Sequence, residues 1–405
     1  MADSRLKRRI PYHLPSIGAD EVAAVKEVLR SGWLTTGSKA AQFEKEVAAL
    51  TMAKYAVAVN SCTSGLHLAL LALGVGPGDE VITTPYTFSA TGETIVHTGA
   101  RPVFADVERG GSNIDPGKIA AAITAKTKAI VPVHMAGDPC NMSEIMRLAR
   151  SHRIGVVEDA AHAIGTWYEG RPVGSIGTLT VFSFYATKNL TTGEGGMVTT
   201  DSETTADLMR QLSLHGLSRD AWTRYSAKGS WRYEICELGY KYNLSDIQAA
   251  IGLVQLRKFE AMQERRRRLV EAYHEGLAGI PDLILPEERP GTRHAWHLYI
   301  IRLGGERPPN QRDDLIEELK DAGIGVSVHF IPLHLHRYYQ QAFSYGPGDF
   351  PEAERQYRSA ISLPLYPTLK LEEVAHICSI LRRQLHRTAR YRPKRGMVYH
   401  DQAHF

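Results

Sequence analysis

Short apolar runs alternate along this chain with stretches whose apolar residues recur three or four positions apart. That is the pattern of strands feeding helices in a βαβ-type sheet. The runs are Ala56-Val57-Ala58-Val59, Glu80-Val81-Ile82-Thr83, Pro102-Val103-Phe104, Thr127 to Val133, Gly155-Val156-Val157, Leu179 to Phe184 and Gly196 to Thr200. Helix-like stretches between them include Ser64 to Leu73, Asn141 to His152 and Ser202 to Leu214. From Ser245 to Val270 one long helix is predicted, with Ile247, Ile251, Val254 and Leu256 on its apolar side and the run Glu264-Arg265-Arg266-Arg267-Arg268 near its end. Farther on, residues 297–302 and 325–330 read as strands, and 313–322 and 371–385 as helices. The pattern predicts an α/β domain over residues 11–262, a smaller α+β domain over 263–385, and a basic, mobile tail over 386–405.

The chain has 405 residues, 43% of them hydrophobic, which suits two domains because single cores stop growing at about 250–300 residues. A net charge of +4 is too mild to make nucleic acid or a membrane surface the expected partner. The arginine run lacks interleaved aromatics, so it reads as the solvated face of a connecting helix. Cys62, Cys140, Cys236 and Cys378 lie far apart with no metal-ligand spacing, so a reducing, cytoplasmic setting and no metal site are expected. Met1 to Ile10 is basic but meets Pro11 instead of an apolar signal core, and no run approaches the roughly 20 apolar residues of a membrane helix.

The chemistry centres on Lys188, within Ser183-Phe184-Tyr185-Ala186-Thr187-Lys188-Asn189, and on Asp159, just beyond the apolar run Val156-Val157. In open α/β sheets the carboxyl ends of the strands are where ligands sit. An amine able to form a Schiff base and a carboxylate able to hold a pyridinium nitrogen are the two groups pyridoxal 5'-phosphate (PLP) requires of a protein. Its phosphate needs a cup of donors, and Asn60-Ser61-Cys62-Thr63-Ser64-Gly65 offers helix-start amides with the Thr63 and Ser64 hydroxyls, although the same residues also suit an ordinary N-cap. Ser183 adds a further hydroxyl. Phe88, in Pro85-Tyr86-Thr87-Phe88, is the candidate to stack on the ring, and His162 the candidate to lie near its 3'-oxygen or face. Gly74-Val75-Gly76-Pro77-Gly78 follows a helix instead of opening one, the wrong context for a dinucleotide fingerprint.

Asn60 to His67, Pro77 to Ile82, Glu158-Asp159-Ala160-Ala161-His162, Thr192 to Met197 and Gly239 to Asp246 together resemble the DegT/DnrJ/EryC1/StrS family of sugar aminotransferases, from about Pro11 to Leu385. Ser31 to Gly37, Trp231, His294 to Tyr299 and Gly323 to Phe330 are similar to its members that aminate C4 of UDP-linked 4-keto sugars. The resemblance implies a fold-type-I PLP transferase, like aspartate aminotransferase, working as a homodimer with shared active sites. It implies that Lys188 carries PLP, Asp159 pairs with the pyridinium, Phe88 stacks, and Thr63, Ser64 and Ser183 hold the phosphate. Asn243 would reach the phosphate in the neighbouring subunit; read without the family it is an N-cap. L-Glutamate, leaving as 2-oxoglutarate, would convert the cofactor to pyridoxamine 5'-phosphate, which then aminates a nucleotide-linked keto sugar. Arg224 and Lys228, with His329, His334 and His336 in or beside the 330–339 stretch, are the expected neighbours of that substrate. The dehydratases of the family carry His where this chain has Lys188, which favours transamination. A 3-keto-sugar or keto-cyclitol aminotransferase and a catalytically silent regulatory protein remain the alternatives.

Overall fold

The computed structural model describes residues 9–218, 233–305 and 311–389. In chain order the strands are β1 (Tyr55–Val59), β2 (Glu80–Thr83), β3 (Arg101–Phe104), β4 (Thr127–Val131), β5 (Gly155–Asp159), β6 (Trp167–Tyr168), β7 (Arg171–Pro172), β8 (Leu179–Ser183), β9 (Gly196–Thr200), β10 (Leu283–Ile284), β11 (Thr292–Arg293), β12 (Tyr299–Leu303) and β13 (Ala360–Leu363). Seven form a central sheet in the order β1-β9-β8-β5-β4-β2-β3. Only β9 pairs antiparallel with its neighbours; the other pairings are parallel.

The central strands read as continuous apolar runs because helices cover both faces of the sheet. Val57, Val81, Val157 and Val181 join one buried cluster with the helices Cys62–Ala72 and Glu203–Ser213. Their chain neighbours Ala58 and Phe182, and Ile82 and Val156, fall in clusters on the opposite face. Parallel pairing of β5 with β8 and of β4 with β5 brings the carboxyl ends of these strands to one edge. β9 runs the other way, so its first residue, Gly196, reaches the same edge. A Cβ there would lie 2.6 Å from the Ser61 carbonyl, so only glycine lets the two backbones pass.

A second, three-stranded antiparallel sheet, β10-β12-β13, lies with the helices Gln311–Asp321 and Leu371–Ala389 around another buried cluster. The helix Asp246–Leu277, capped by Ser245 through the Gln248 amide, runs unbroken past residue 262. Its Ala249, Leu253 and Phe259 belong to a core of the first sheet, and its Leu269, Val270 and Tyr273 to the second core. Ile10 also belongs to the second core, tied by hydrogen bonds to Gly323 and Gly325.

Three expectations change. Residues 325–330 make a single bridge, Ser327 to Ser362, instead of a strand; the Gly325 amide and the His329 carbonyl bond to Ile10 and Tyr86. The third strand of the small sheet is β13, which carried no recognised signal. In the arginine run Arg267 and Arg268 do pair with Glu264 at the surface, but Arg266 is 1% exposed. No helix among the described residues is long and apolar enough to cross a membrane, and among them no group of His, Cys, Asp and Glu is arranged to hold a metal ion. Arg224, Lys228, Trp231 and residues 390–405 lie outside the described residues.

Candidate active site

The carboxyl edge of the central sheet opens on a cavity of about 490 Å³ that gathers Thr63, Phe88, Asp159, His162, Ser183, Lys188 and His329. Except for His329, each comes from a strand end or from the segment that follows one. Asp159 is the last residue of β5 and Ser183 the last of β8, and Lys188 follows in the loop that returns to β9.

Asp159 is buried and doubly held. Its Oδ2 accepts from the Thr91 hydroxyl at 2.7 Å and its Oδ1 from the Ala161 amide at 3.1 Å. The Thr91 hydroxyl lies 2.8 Å from that of Thr87 and, having given its proton to Asp159, accepts there. Burial pushes the Asp159 carboxyl up, while these two donors and the Lys188 charge pull it down. Lys188 faces the cavity, and desolvation of its amine lowers its pKa from 10.5 to about 8 against the opposing effects of Cys62 and Asp159. Among the described residues no carboxylate lies within 4 Å of its Nζ, so the amine is not committed to an ion pair.

The helix Cys62–Ala72 starts at the end of β1 with Ser61 as its cap. The Ser61 hydroxyl accepts from the Ser64 amide, leaving the first amides of the helix without intrahelical acceptors at the cavity, the arrangement that binds anions. Ser64 does not join Thr63 there: its hydroxyl donates to the Asn60 side chain at 2.6 Å, inside the cap. Phe88 is 59% exposed, which rules out core packing; its ring meets Phe330 at 5.8 Å. The His162 Nδ1 accepts from the Ala136 amide, so its proton sits on Nε2.

The facing wall consists of Tyr12, His13, His297, His329, Phe330 and Leu365, of which only His329 was a candidate. Burial, together with the Lys188 charge, holds His13 and His329 down to about 4 and His162 and His297 well below the usual imidazole range; for His13, Arg266 also contributes. Four neutral imidazoles therefore share the cavity with the lysine. Behind them the Arg266 Nη1 donates to the carbonyls of Trp296 and Leu365 at 3.2 and 3.0 Å.

Several expected residues lie elsewhere. His334 is buried against Glu354 at 3.1 Å, where it ties two helical segments together, and His336 is exposed. Neither lines the cavity. Asn243 is not a helix cap: it bridges to Val59 and donates to the Thr36 hydroxyl at 2.7 Å, and it is not among the residues that line this chain's cavity. Thr91 went unselected although it lies in the first turn of the helix after Phe88, where the position of β2 beside the ligand edge was the available signal.

The donor set fits PLP: a desolvated free amine, a carboxylate held by two donors, an open aromatic face and a helix start lined with hydroxyls. The sequence model of the DegT/DnrJ/EryC1/StrS aminotransferase family matches residues 15–382. The spore coat polysaccharide biosynthesis protein SpsC of Bacillus subtilis is 53% identical over 374 residues, covering 92% of this chain and 96% of its own length. A putative sugar aminotransferase, Spr1654 of Streptococcus pneumoniae, solved in its PMP form, superposes with a TM-score of 0.89 at 36% identity, covering 93% of this chain and 99% of that one. Helicobacter pylori PseC, an aminotransferase involved in the biosynthesis of pseudoaminic acid, gives 0.87 at 30% identity, covering 94% and 100%. The chain belongs to the DegT/DnrJ/EryC1/StrS aminotransferase family and is a PLP-dependent sugar aminotransferase with the α/β fold of that group.

Proposed function

We propose that this sugar aminotransferase moves the amino group of L-glutamate to C4 of a UDP-linked 4-keto sugar. The observation that carries the assignment of roles is the meeting of Lys188 and Asp159 in one cavity, the amine uncommitted and the carboxylate held by Thr91 and Ala161. When bound, PLP supplies an electron sink for the carbon that loses its proton. Lys188 would hold the cofactor and, once released from it, its Nζ would accept that proton and give it back. A pKa lowered to about 8 suits an amine that must act both as base and as acid. Asp159, its oxygens fixed by the Thr91 and Ala161 donors against the upward push of burial, would pair with the ring nitrogen. Thr63, Ser183 and the first amides of the helix Cys62–Ala72 would bind the phosphate, Phe88 would cover the ring face, and the His162 Nε2–H would be free to donate to the ring oxygen.

The substrate reading is supported by the similarity of 31–37, 294–299 and 323–330 to the C4-aminating members and by the relative named for polysaccharide biosynthesis. His329, in the facing wall, is the retained candidate to contact the sugar. Shared sites in a homodimer are supported by Asn243, which does not line its own chain's cavity, and by the exposed Ile235 and Leu238 at 71% and 87%. The change of core along the helix Asp246–Leu277 supports a domain division near residue 262. The test is the half-reaction: L-glutamate should convert the PLP absorbance to that of pyridoxamine phosphate, and one UDP-4-keto sugar, not its dTDP or 3-keto counterparts, should restore it. Restoration by a 3-keto sugar alone would replace this substrate assignment.

A further inference from the structure

We propose that Asn189 and His297 are positioning residues, a hydrogen-bonded pair that fixes the loop from which Lys188 reaches and braces the His162 imidazole against the cavity. The proposal rests on Lys188 being the lysine that holds the cofactor.

Asn189, next to Lys188 in the chain, is 3% exposed, and both sides of its amide are engaged. Its Nδ2 donates to the Gln263 side chain at 3.1 Å and to the Ala295 carbonyl at 2.7 Å; its Oδ1 lies 3.0 Å from the His297 Nδ1. With the amide protons given to oxygens, Oδ1 can only accept, so this network puts the His297 proton on Nδ1 and leaves Nε2 bare. His162 has the opposite tautomer, because its Nδ1 accepts from Ala136 at 3.2 Å. The two rings lie 4.4 Å apart, tilted by 34°. One residue aligns both: the Ala136 amide holds the His162 ring, and the Ala136 carbonyl accepts from the His297 amide at 2.9 Å.

This arrangement is held at the expense of local backbone strain. Ala136 has φ +60° and Trp296 has φ +48°, two non-glycine residues in the left-handed region on either side of the same contact. An apolar residue at 297 would fill the space without a satisfied polar network. The network instead links three elements, the Lys188 loop, the helix Asp246–Leu277 and the segment before β12, through one amide. Every titratable group acting on His297 is cationic or neutral, namely His162, Lys188, Arg266 and His13, so the ring stays uncharged and keeps its tautomer.

The test uses His297→Asn, whose amide nitrogen reaches Asn189 from the Nδ1 position but removes Nε2, beside His297→Leu and Asn189→Leu. In the apoprotein, ¹⁵N spectra of the histidine rings should show an Nδ1–H, bare-Nε2 imidazole that vanishes in His297→Asn. If no such ring is lost in that variant, the proposal fails. In the reconstituted protein, Asn189→Leu and His297→Leu should slow the glutamate half-reaction at least ~10-fold, with the donor's half-saturation held within about threefold. They should also move the pKa of the lysine-bound chromophore by about one unit. His297→Asn should recover both. Recovery failing in His297→Asn would make Nε2 a reacting group, and wild-type behaviour in His297→Leu would leave the pair without a role; either overturns the proposal. Should Asn189→Leu not fold, as judged by circular dichroism, Asn189→Ser replaces it. Persistence of the bound chromophore in Lys188→Ala would instead remove the underlying assignment, an outcome separate from the ring spectra.

Discussion

The wall that the central sheet gives the cavity and the wall facing it are built from different kinds of sequence. On the sheet side Asp159 and Ser183 end β5 and β8, and Lys188 follows Ser183 by one short loop segment. On the facing side Tyr12, His13, His297, His329 and Leu365 come from segments spread from one end of the chain to the other. A desolvated cation sits in the sheet wall and another behind the facing wall, with different outcomes. The Lys188 amine falls to about 8 and becomes a usable base, whereas the Arg266 guanidinium falls only to about 10 and stays charged. The comparison teaches that burial of positive charge produces reactivity only where the group can release its proton; elsewhere it produces a staple, here across the carbonyls of Trp296 and Leu365.

Lys188→Ala breaks the contrast most completely. Turnover should fall by at least ~10³-fold with the circular-dichroism melting curve unchanged, since only an amine with its own desolvation penalty is lost. Substantial activity in that variant would overturn the reading of the sheet wall. Asp159→Asn should cost on the order of 10²–10³ in turnover. Its effect on stability has the opposite sign: the folded carboxyl is raised above its unfolded value, so its ionised form is disfavoured by folding as pH rises past the unfolded pKa, and the amide should raise the apoprotein's melting temperature near neutrality. A lower melting temperature would show that Thr91 and Ala161 outweigh burial.

Arg266→Leu sharpens the other half. Carbonyls of Trp296 and Leu365 lose their donor, and stability should drop by about 2–3 kcal/mol in urea unfolding while the sheet-side residues still bind the cofactor. Since Lys188 must be neutral to attack a carbonyl carbon, the rate of PLP uptake by the apoprotein should rise about tenfold per pH unit and level off above about 8, seen by stopped-flow absorbance. Levelling near pH 10 would mean the amine is not desolvated. Smallest of all, Ser64→Ala should leave PLP affinity within about twofold, because that hydroxyl serves the cap, whereas Thr63→Ala should weaken it several-fold, on the order of one hydrogen bond.

The sheet wall was legible because its residues lie next to strand ends that apolar runs announce. Even there, selection among neighbours failed: Ser64 and Thr63 look alike in sequence, and only the helix phase set by the Ser61 cap turns one inward and the other toward Asn60. His334 and His336 were chosen by polarity, yet a buried imidazole with a carboxylate partner is as polar as one that meets a ligand. Arg266 was read with its solvated neighbours because a charge run carries no mark of which member faces inward along a helix.

By itself the sequence determined the α/β architecture, the family, and the selection of Lys188 and Asp159 as candidates that do line one cavity, because period, strand-end position and short motifs are local properties. The tertiary structure alone decided the facing wall, the tautomers of His162 and His297, and the burial of Arg266. These depend on contacts between residues far apart in the chain, such as Asn189 with His297 and Ile10 with Gly323, whose partners exist only once two cores have packed against one another.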